Sequence, residues 1–159
     1  MKKRLYKEVV FLFPLLIATI VAHTQSKEPA ENQRIIEAKN YVFKAQRASP
    51  LKGRDVHLTT EYDLTVVGDS VIAALPYYGR AYSAPMNTSD GGITFTSSKS
   101  EYTLKTKKGK WLISIRPADV RNVEELYLEI FDNGRASLRL TLQDRQPISY
   151  DGYIVERKK

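Results

Sequence analysis

Leu126-Tyr127-Leu128-Glu129-Ile130-Phe131-Asp132-Asn133-Gly134-Arg135-Ala136-Ser137-Leu138-Arg139-Leu140-Thr141-Leu142 reads as two strands and the turn between them. Leu126, Leu128 and Ile130 recur at a period of two, which puts them on one face of an extended chain. Ala136, Leu138, Leu140 and Leu142 do the same, alternating with Ser137, Arg139 and Thr141. Asn133-Gly134 between them is the strongest short-range hairpin signal in the chain. A two-residue turn there requires positive φ at both positions.

The same period extends in both directions. Upstream, Val56, Leu58, Tyr62, Leu64 and Val66 alternate with His57, Thr59, Glu61, Asp63 and Thr65. Gly68-Asp69 turns that strand into a partner over Val71–Leu75. Ile93 and Phe95 mark another strand, and Tyr102 and Leu104 the next. A turn at Lys108-Gly109 leads to Trp111, Ile113 and Ile115, ending at Arg116-Pro117. Tyr41–Ala48 is extended up to Ser49-Pro50, and a last strand covers about Ile148–Val155. The pattern predicts a mainly β protein: one antiparallel barrel or sandwich of about eight to nine strands. Its expected interior includes Val56, Leu58, Leu64, Ile93, Phe95, Trp111, Ile113, Leu126, Leu128, Leu138 and Leu140.

Before the strands the pattern differs. Residues 23–40 are polar. Pro29 and Glu28 suit a helix start, and Ile35, Ala38 and Val42 share a helical face, so a short helix is expected over about Pro29–Lys39. Earlier still, Lys2, Lys3, Arg4 and Lys7 precede an apolar run from Val9 to Ala22, and polar residues follow at once. That order is the signature of a cleavable export signal over residues 1–22. The run is short for a membrane span of roughly 20 apolar residues, and it contains Pro14. The expected organisation is a leader (1–22), a polar segment with a short helix (23–40) and a single β-domain (41–159). The expected location is the periplasm or the exterior, with no transmembrane span after cleavage.

Composition narrows the chemistry. Removing 22 of the 159 residues takes away +3 of the formal +7 charge. A remainder near +4 is only mildly basic and gives little support to nucleic acid as a partner. With no cysteine, the protein has no lipid-anchoring thiol, no disulfide and no thiolate chemistry. His57 is the one histidine well inside the β-domain, so no multi-histidine metal site is expected. No cofactor is expected either.

One connection departs from the short turns. Leu75-Pro76-Tyr77-Tyr78-Gly79-Arg80-Ala81-Tyr82-Ser83-Ala84-Pro85 opens a loop of about 16 residues that lasts to Gly91-Gly92, whereas hairpin loops usually have ~2–5. Tyrosine offers rigid contact area with a polar tip, and arginine stacks on rings or forks to carboxylates. The loop reads either as a binding lip over one end of the domain or as a self-packed Ω-loop that plugs it. Leu75-Pro-Tyr-Tyr-Gly-Arg-Ala-Tyr82, Gly91-Gly92-Ile93-x-Phe95, Asn133-Gly134-x-Ala136 and Arg145-Gln146-x-Ile148-Ser149-Tyr150-x-Gly152 form a set. Together these motifs resemble the domain-of-unknown-function family numbered 4251, over about Tyr41 to Ile154. The resemblance implies an exported bacterial β-rich domain. It implies no activity, and it carries over no catalytic or ligand residue.

Other groups weigh less. Glu61 and Asp63 stand roughly 7 Å apart on one strand face, near the spacing of an inverting glycosidase pair. The apolar face opposite them claims the interior, which sends both carboxylates to solvent. A serine nucleophile has no base available except His57, and no nucleophile-elbow turn occurs. Lys105, Lys107, Lys108 and Lys110 crowd one hairpin. They suit a polyanionic surface or, more simply, solvent and edge protection. Arg145 precedes Tyr150 and has Asp144 as a neighbour for pairing. The sequence therefore predicts an exported, non-catalytic binding module. Its expected contact residues are Tyr77, Tyr78, Arg80, Tyr82, Arg145 and Tyr150, and its expected partner is a small apolar or sugar-like ligand. The alternatives are docking to another envelope protein, or a hydrolase using the Glu61/Asp63 face.

Overall fold

A computed structural model describes residues 29–82 and 91–158. The expected leader lies outside the described residues, as does the later part of the long loop, 83–90. No helix of the described residues is long and apolar enough to cross a membrane.

Helix α1 (Pro29–Glu37) leads into β1 (Asn40–Pro50), β2 (Val56–Val67), β3 (Ser70–Leu75) and β4 (Ile93–Ser97). Then follow β5 (Ser100–Lys107), β6 (Lys110–Pro117), β7 (Val123–Phe131), β8 (Arg135–Leu142) and β9 (Ile148–Glu156). The strands form one antiparallel sheet in the order β4-β3-β2-β1-β9-β8-β7-β6-β5. In an alternating order of nine, the first and last strands run in the same sense. Here those two strands are β4 and β5, and only Ser98 and Lys99 separate them. The chain therefore passes from one edge of the sheet to the other by a bend, and the sheet must roll up to allow it. The result is a nearly closed barrel.

That bend is built from side chains. The Ser97 hydroxyl lies 2.9 Å from that of Ser100. The Asp119 carboxylate accepts hydrogen bonds from the Ser97 hydroxyl, the Ser98 amide at 2.9 Å and the Ser98 hydroxyl at 3.0 Å. The amide of Ser100 donates to the Asp69 carbonyl and that of Ala118 to the Lys99 carbonyl. These bonds hold Asp119 well below the usual carboxylate range, at about 2.

The interior follows the two-residue period. Leu58, Leu64, Ile93, Trp111, Ile113, Leu126, Leu128, Leu138 and Leu140 are buried as expected, while Val56 and Phe95 are partly buried. Register fixes which side chains meet: Leu128 lies opposite both Ile113 and Leu138. A bulge in β1 between Ala45 and Arg47 breaks the register against both β2 and β9.

Three local expectations are corrected. The helix ends at Glu37, and its buried face is Asn32, Ile35 and Ile36. Ala38 is exposed, and Val42 already belongs to β1. At the β7–β8 turn only Gly134 has positive φ, +76°, and Asn133 does not. The Gly134 amide donates to the Phe131 carbonyl at 2.8 Å, so the loop has three residues with glycine in the left-handed position. The Asn133 side chain accepts from the Arg135 amide at 3.0 Å instead.

Helix α1 closes one end of the barrel. Ile35 and Ile36 are buried there, and the Asn32 amide donates to the Asp132 carbonyl at 2.9 Å. The long loop leaves from Leu75, at the opposite end.

Candidate functional site

At the end away from the helix, the chain from Pro76 to Tyr82 lies against the β8–β9 connection. The amide of Tyr82 donates to the Asp144 carbonyl at 2.8 Å, and that of Gln146 to the Arg80 carbonyl at 3.0 Å. These bonds make an isolated bridge between Ala81 and Arg145. Backbone pairing thus ties two loops distant in sequence into one short ribbon.

Three of the residues singled out in the sequence stabilise this ribbon. Tyr150 is fully buried, and its hydroxyl donates to the Pro76 carbonyl at 2.6 Å. The Tyr77 hydroxyl sits within hydrogen-bond distance of two carbonyls, Arg80 at 3.0 Å and Gln146 at 2.9 Å. Arg145 forks to its neighbour Asp144 at 3.1 and 2.9 Å and lies 5.0 Å from the centroid of the Tyr77 ring. The pairing with Asp144 that the sequence offered is present, and the guanidinium also lies over the Tyr77 ring.

The electrostatics follow from this packing. The fork to Asp144 raises Arg145 against the cost of burial, and the same bond lowers Asp144. Burial pushes the Tyr77 and Tyr150 phenols up. Both tyrosines remain neutral hydrogen-bond donors at physiological pH, and neither is prepared to act as a base.

The other three singled-out residues point away. Tyr78 is 44% and Tyr82 64% exposed, and Arg80 is exposed between them. The loop therefore divides. Tyr77, Arg145 and Tyr150 form its internal support, and Tyr78, Arg80 and Tyr82 form its outer surface. Sequence alone could not make this division, because six aromatic and basic residues at irregular spacing carry no period that says which face is buried.

Elsewhere, Glu61 and Asp63 do not form an isolated carboxylate pair. Lys44 on β1 lies between them, 3.2 Å from Glu61 and 3.1 Å from Asp63. Its ammonium is raised, first by the bond to Asp63. In the lysine-rich hairpin, Lys110 pairs with Glu129, and Trp111 is a core residue. The polar cluster that sequence reasoning missed is Ser97, Ser98, Ser100 and Asp119 at the barrel corner. Serines and one aspartate 22 positions away look like ordinary loop residues until the β5–β6 register brings them together.

No curated protein matches the chain. Among solved structures, it is similar to the crystal structure of a DUF4251 family protein from Bacteroides eggerthii DSM 20697. The TM-score is 0.60 and the identity 14%, over 80% of this chain and 87% of that one. At that identity the likeness concerns the fold: the same rolled sheet carried by a largely different sequence. The family model described as Domain of unknown function (DUF4251) matches residues 23–154, which span the helix, all of β1 to β8, the tyrosine loop with its Ala81–Arg145 bridge and most of β9. The chain with this barrel and this bridged loop therefore belongs to the DUF4251 family.

Proposed function

We propose that the protein is an exported, non-catalytic binding module whose contact surface is Tyr78, Arg80 and Tyr82. The observation that carries this reading is the contrast within one loop. The backbone is bonded to the β8–β9 connection on both sides of Ala81, yet two tyrosines of the segment stay largely in solvent. A fixed backbone lowers the ordering cost that a flexible loop would incur on binding. Tyrosine and arginine are the residue types that dominate binding hot spots. Tyr77, Arg145 and Tyr150 act in this reading as supports that hold the outer residues in place. Exposed rings flanking a guanidinium suit a sugar-like or apolar ligand that stacks on them.

Docking to another envelope protein is the second reading, favoured by the outward position of both rings. The export part of the proposal rests on the basic-then-apolar leader and the absence of cysteine.

The test replaces Tyr78 and Arg80 together by alanine. Binding to immobilised neutral oligosaccharides and to envelope extract is measured beside thermal stability. Loss of oligosaccharide binding at unchanged stability supports the first reading, and loss of a single protein partner instead supports the second. Retained binding, or a large stability loss, overturns the assignment. N-terminal sequencing of the exported protein tests the leader, and a retained Met1 in the inner membrane would defeat it.

A further inference from the structure

We propose that a groove on the outer face of the barrel, over the β1 bulge, binds a small zwitterion with one carboxylate and one ammonium group. A free amino acid or a short peptide with both ends free has that chemistry. The groove has a volume of about 500 Å³ and is lined by Arg47, His57, Phe131, Arg135, Ser137 and Asp151 among others. That volume lies within the usual range of small-molecule sites, roughly 300–1,000 Å³. It shares no residue with the tyrosine loop.

Register explains why these groups meet. Ser137 pairs with Asp151, Asp151 with Arg47, and Arg47 with His57. Four strands thus deliver one row of polar side chains to the outside. The bulge gives the row its depth. Ala45 lies opposite Gly152 and Arg47 opposite Asp151, so Gln46 is the extra residue. The Lys44 carbonyl comes within 1.9 Å of where a Cβ on Gly152 would stand. Only glycine allows β1 and β9 to approach this closely.

The charges are unspent but balanced. Arg47 lies 3.8 Å from Asp55 and 3.8 Å from Asp151, close enough to offset its charge and too far for a hydrogen bond. Among the described residues, the Arg135 side chain makes no hydrogen bond or ion pair, and the Asp151 carboxylate makes no hydrogen bond. An isolated anion in the groove meets Asp151. An isolated cation meets Arg135. A ligand bearing both charges satisfies both, with a guanidinium forking to its carboxylate and Asp151 accepting from its ammonium. Phe131, 40% exposed, supplies an apolar wall.

The experiment titrates the full chain with L-alanyl-L-alanine, L-alanine, N-acetyl-alanyl-alanine, alanyl-alanine amide and inorganic phosphate. Calorimetry reads affinity, and amide chemical shifts of Ala136 and Gly152 read location. The expected result is binding of alanine or dialanine with shifts at those amides, the better of the two identifying the source. Each blocked peptide weakens by about tenfold or more, as does dialanine with Arg135→Gln or Asp151→Asn. Both variants alter exposed side chains, so the fold is retained. Absence of binding up to about 10 mM, equal affinity for phosphate, or blocked peptides binding as well as free ones overturns the proposal. Shifts confined to Tyr78 and Tyr82 would overturn this site without touching the loop reading. Loss of the loop reading would equally leave this one standing.

Discussion

The phenol of Tyr150 and the carbonyl of Pro76 meet at 2.6 Å in the barrel interior, 74 positions apart in sequence. This buried bond joins the first residue of the tyrosine loop to the last strand. Replacing Tyr150 by phenylalanine keeps the ring and leaves the carbonyl without its donor. A buried acceptor left unsatisfied costs about 1–3 kcal/mol. Tyr150→Phe should lower the urea midpoint accordingly and loosen residues 76–82, seen as faster amide exchange at Tyr82. An unchanged midpoint would mean that the Ala81–Arg145 bridge and the Tyr77 contacts hold the loop without this bond.

Leu138 is fully buried and lies between Leu128 on β7 and Tyr150 on β9. Leu138→Ala should cost about 2–5 kcal/mol, because transfer and cavity terms add at a site packed on both sides. Equilibrium urea unfolding checks it. A negligible effect would contradict the register of the central strands.

How much of this was legible in the sequence depends on the distance over which each signal acts. The strands and their buried faces are local, two-residue patterns, and Leu126, Leu128, Leu138 and Leu140 fall where the alternation places them. The barrel corner is not local. Ser97 and Asp119 meet because the β5–β6 pairing, Ser100 opposite Pro117, runs on past its last pair into the bend between β4 and β5, and the two-residue period of the strands does not mark that bend. Asn32 is a similar case: a polar residue on the short helix, buried because its amide reaches the Asp132 carbonyl. The turn at Asn133-Gly134 was legible as a hairpin but not in type, since both loop lengths use the same residues.

Gly152 lies opposite Ala45 at the β1 bulge, with the Lys44 carbonyl packed against it. A Cβ there would stand 1.9 Å from the Lys44 carbonyl oxygen and 3.2 Å from the Ala45 Cα. These are backbone atoms of β1, which cannot move aside as a flexible side chain would. Gly152→Ala should destabilise by about 1–3 kcal/mol or more, measured by thermal unfolding. A neutral outcome would show that β1 slides freely along β9.

Asp119 gives the fold an acid-dependent increment. Its folded pKa, about 2, is lowered first by the Ser97 hydroxyl and then by the Ser98 amide. Unfolded, the group titrates near 3.9. Because the folded value is the lower, the stabilisation is fully present above roughly pH 4. It is lost as pH falls toward and through about 2. Asp119→Asn removes the titration, so the slope of stability between about pH 4 and 2 should be shallower than in the parent. Parallel curves for the two proteins would show that the carboxylate does not hold the corner in solution.

The inner and outer tyrosines of the loop should differ sharply in how much stability substitution costs. Tyr82 is 64% exposed and Tyr78 44%, so Tyr78→Ala and Tyr82→Ala should each change stability by no more than about 0.5 kcal/mol. The Tyr77 hydroxyl instead approaches the carbonyls of Arg80 and Gln146, and its ring lies beside Arg145. Tyr77→Ala removes the polar contact and the stacking surface at once and strips cover from a guanidinium already turned toward Asp144. It should cost several times more than either outer substitution, with faster amide exchange at Tyr82 and Gln146. Thermal unfolding of the three variants in parallel decides the matter. Large losses for Tyr78→Ala and Tyr82→Ala would make the whole loop a plug, and the outer surface would lose its claim to a ligand. Small losses for all three would leave the loop held by its backbone bonds alone, without need of the aromatic support beneath it.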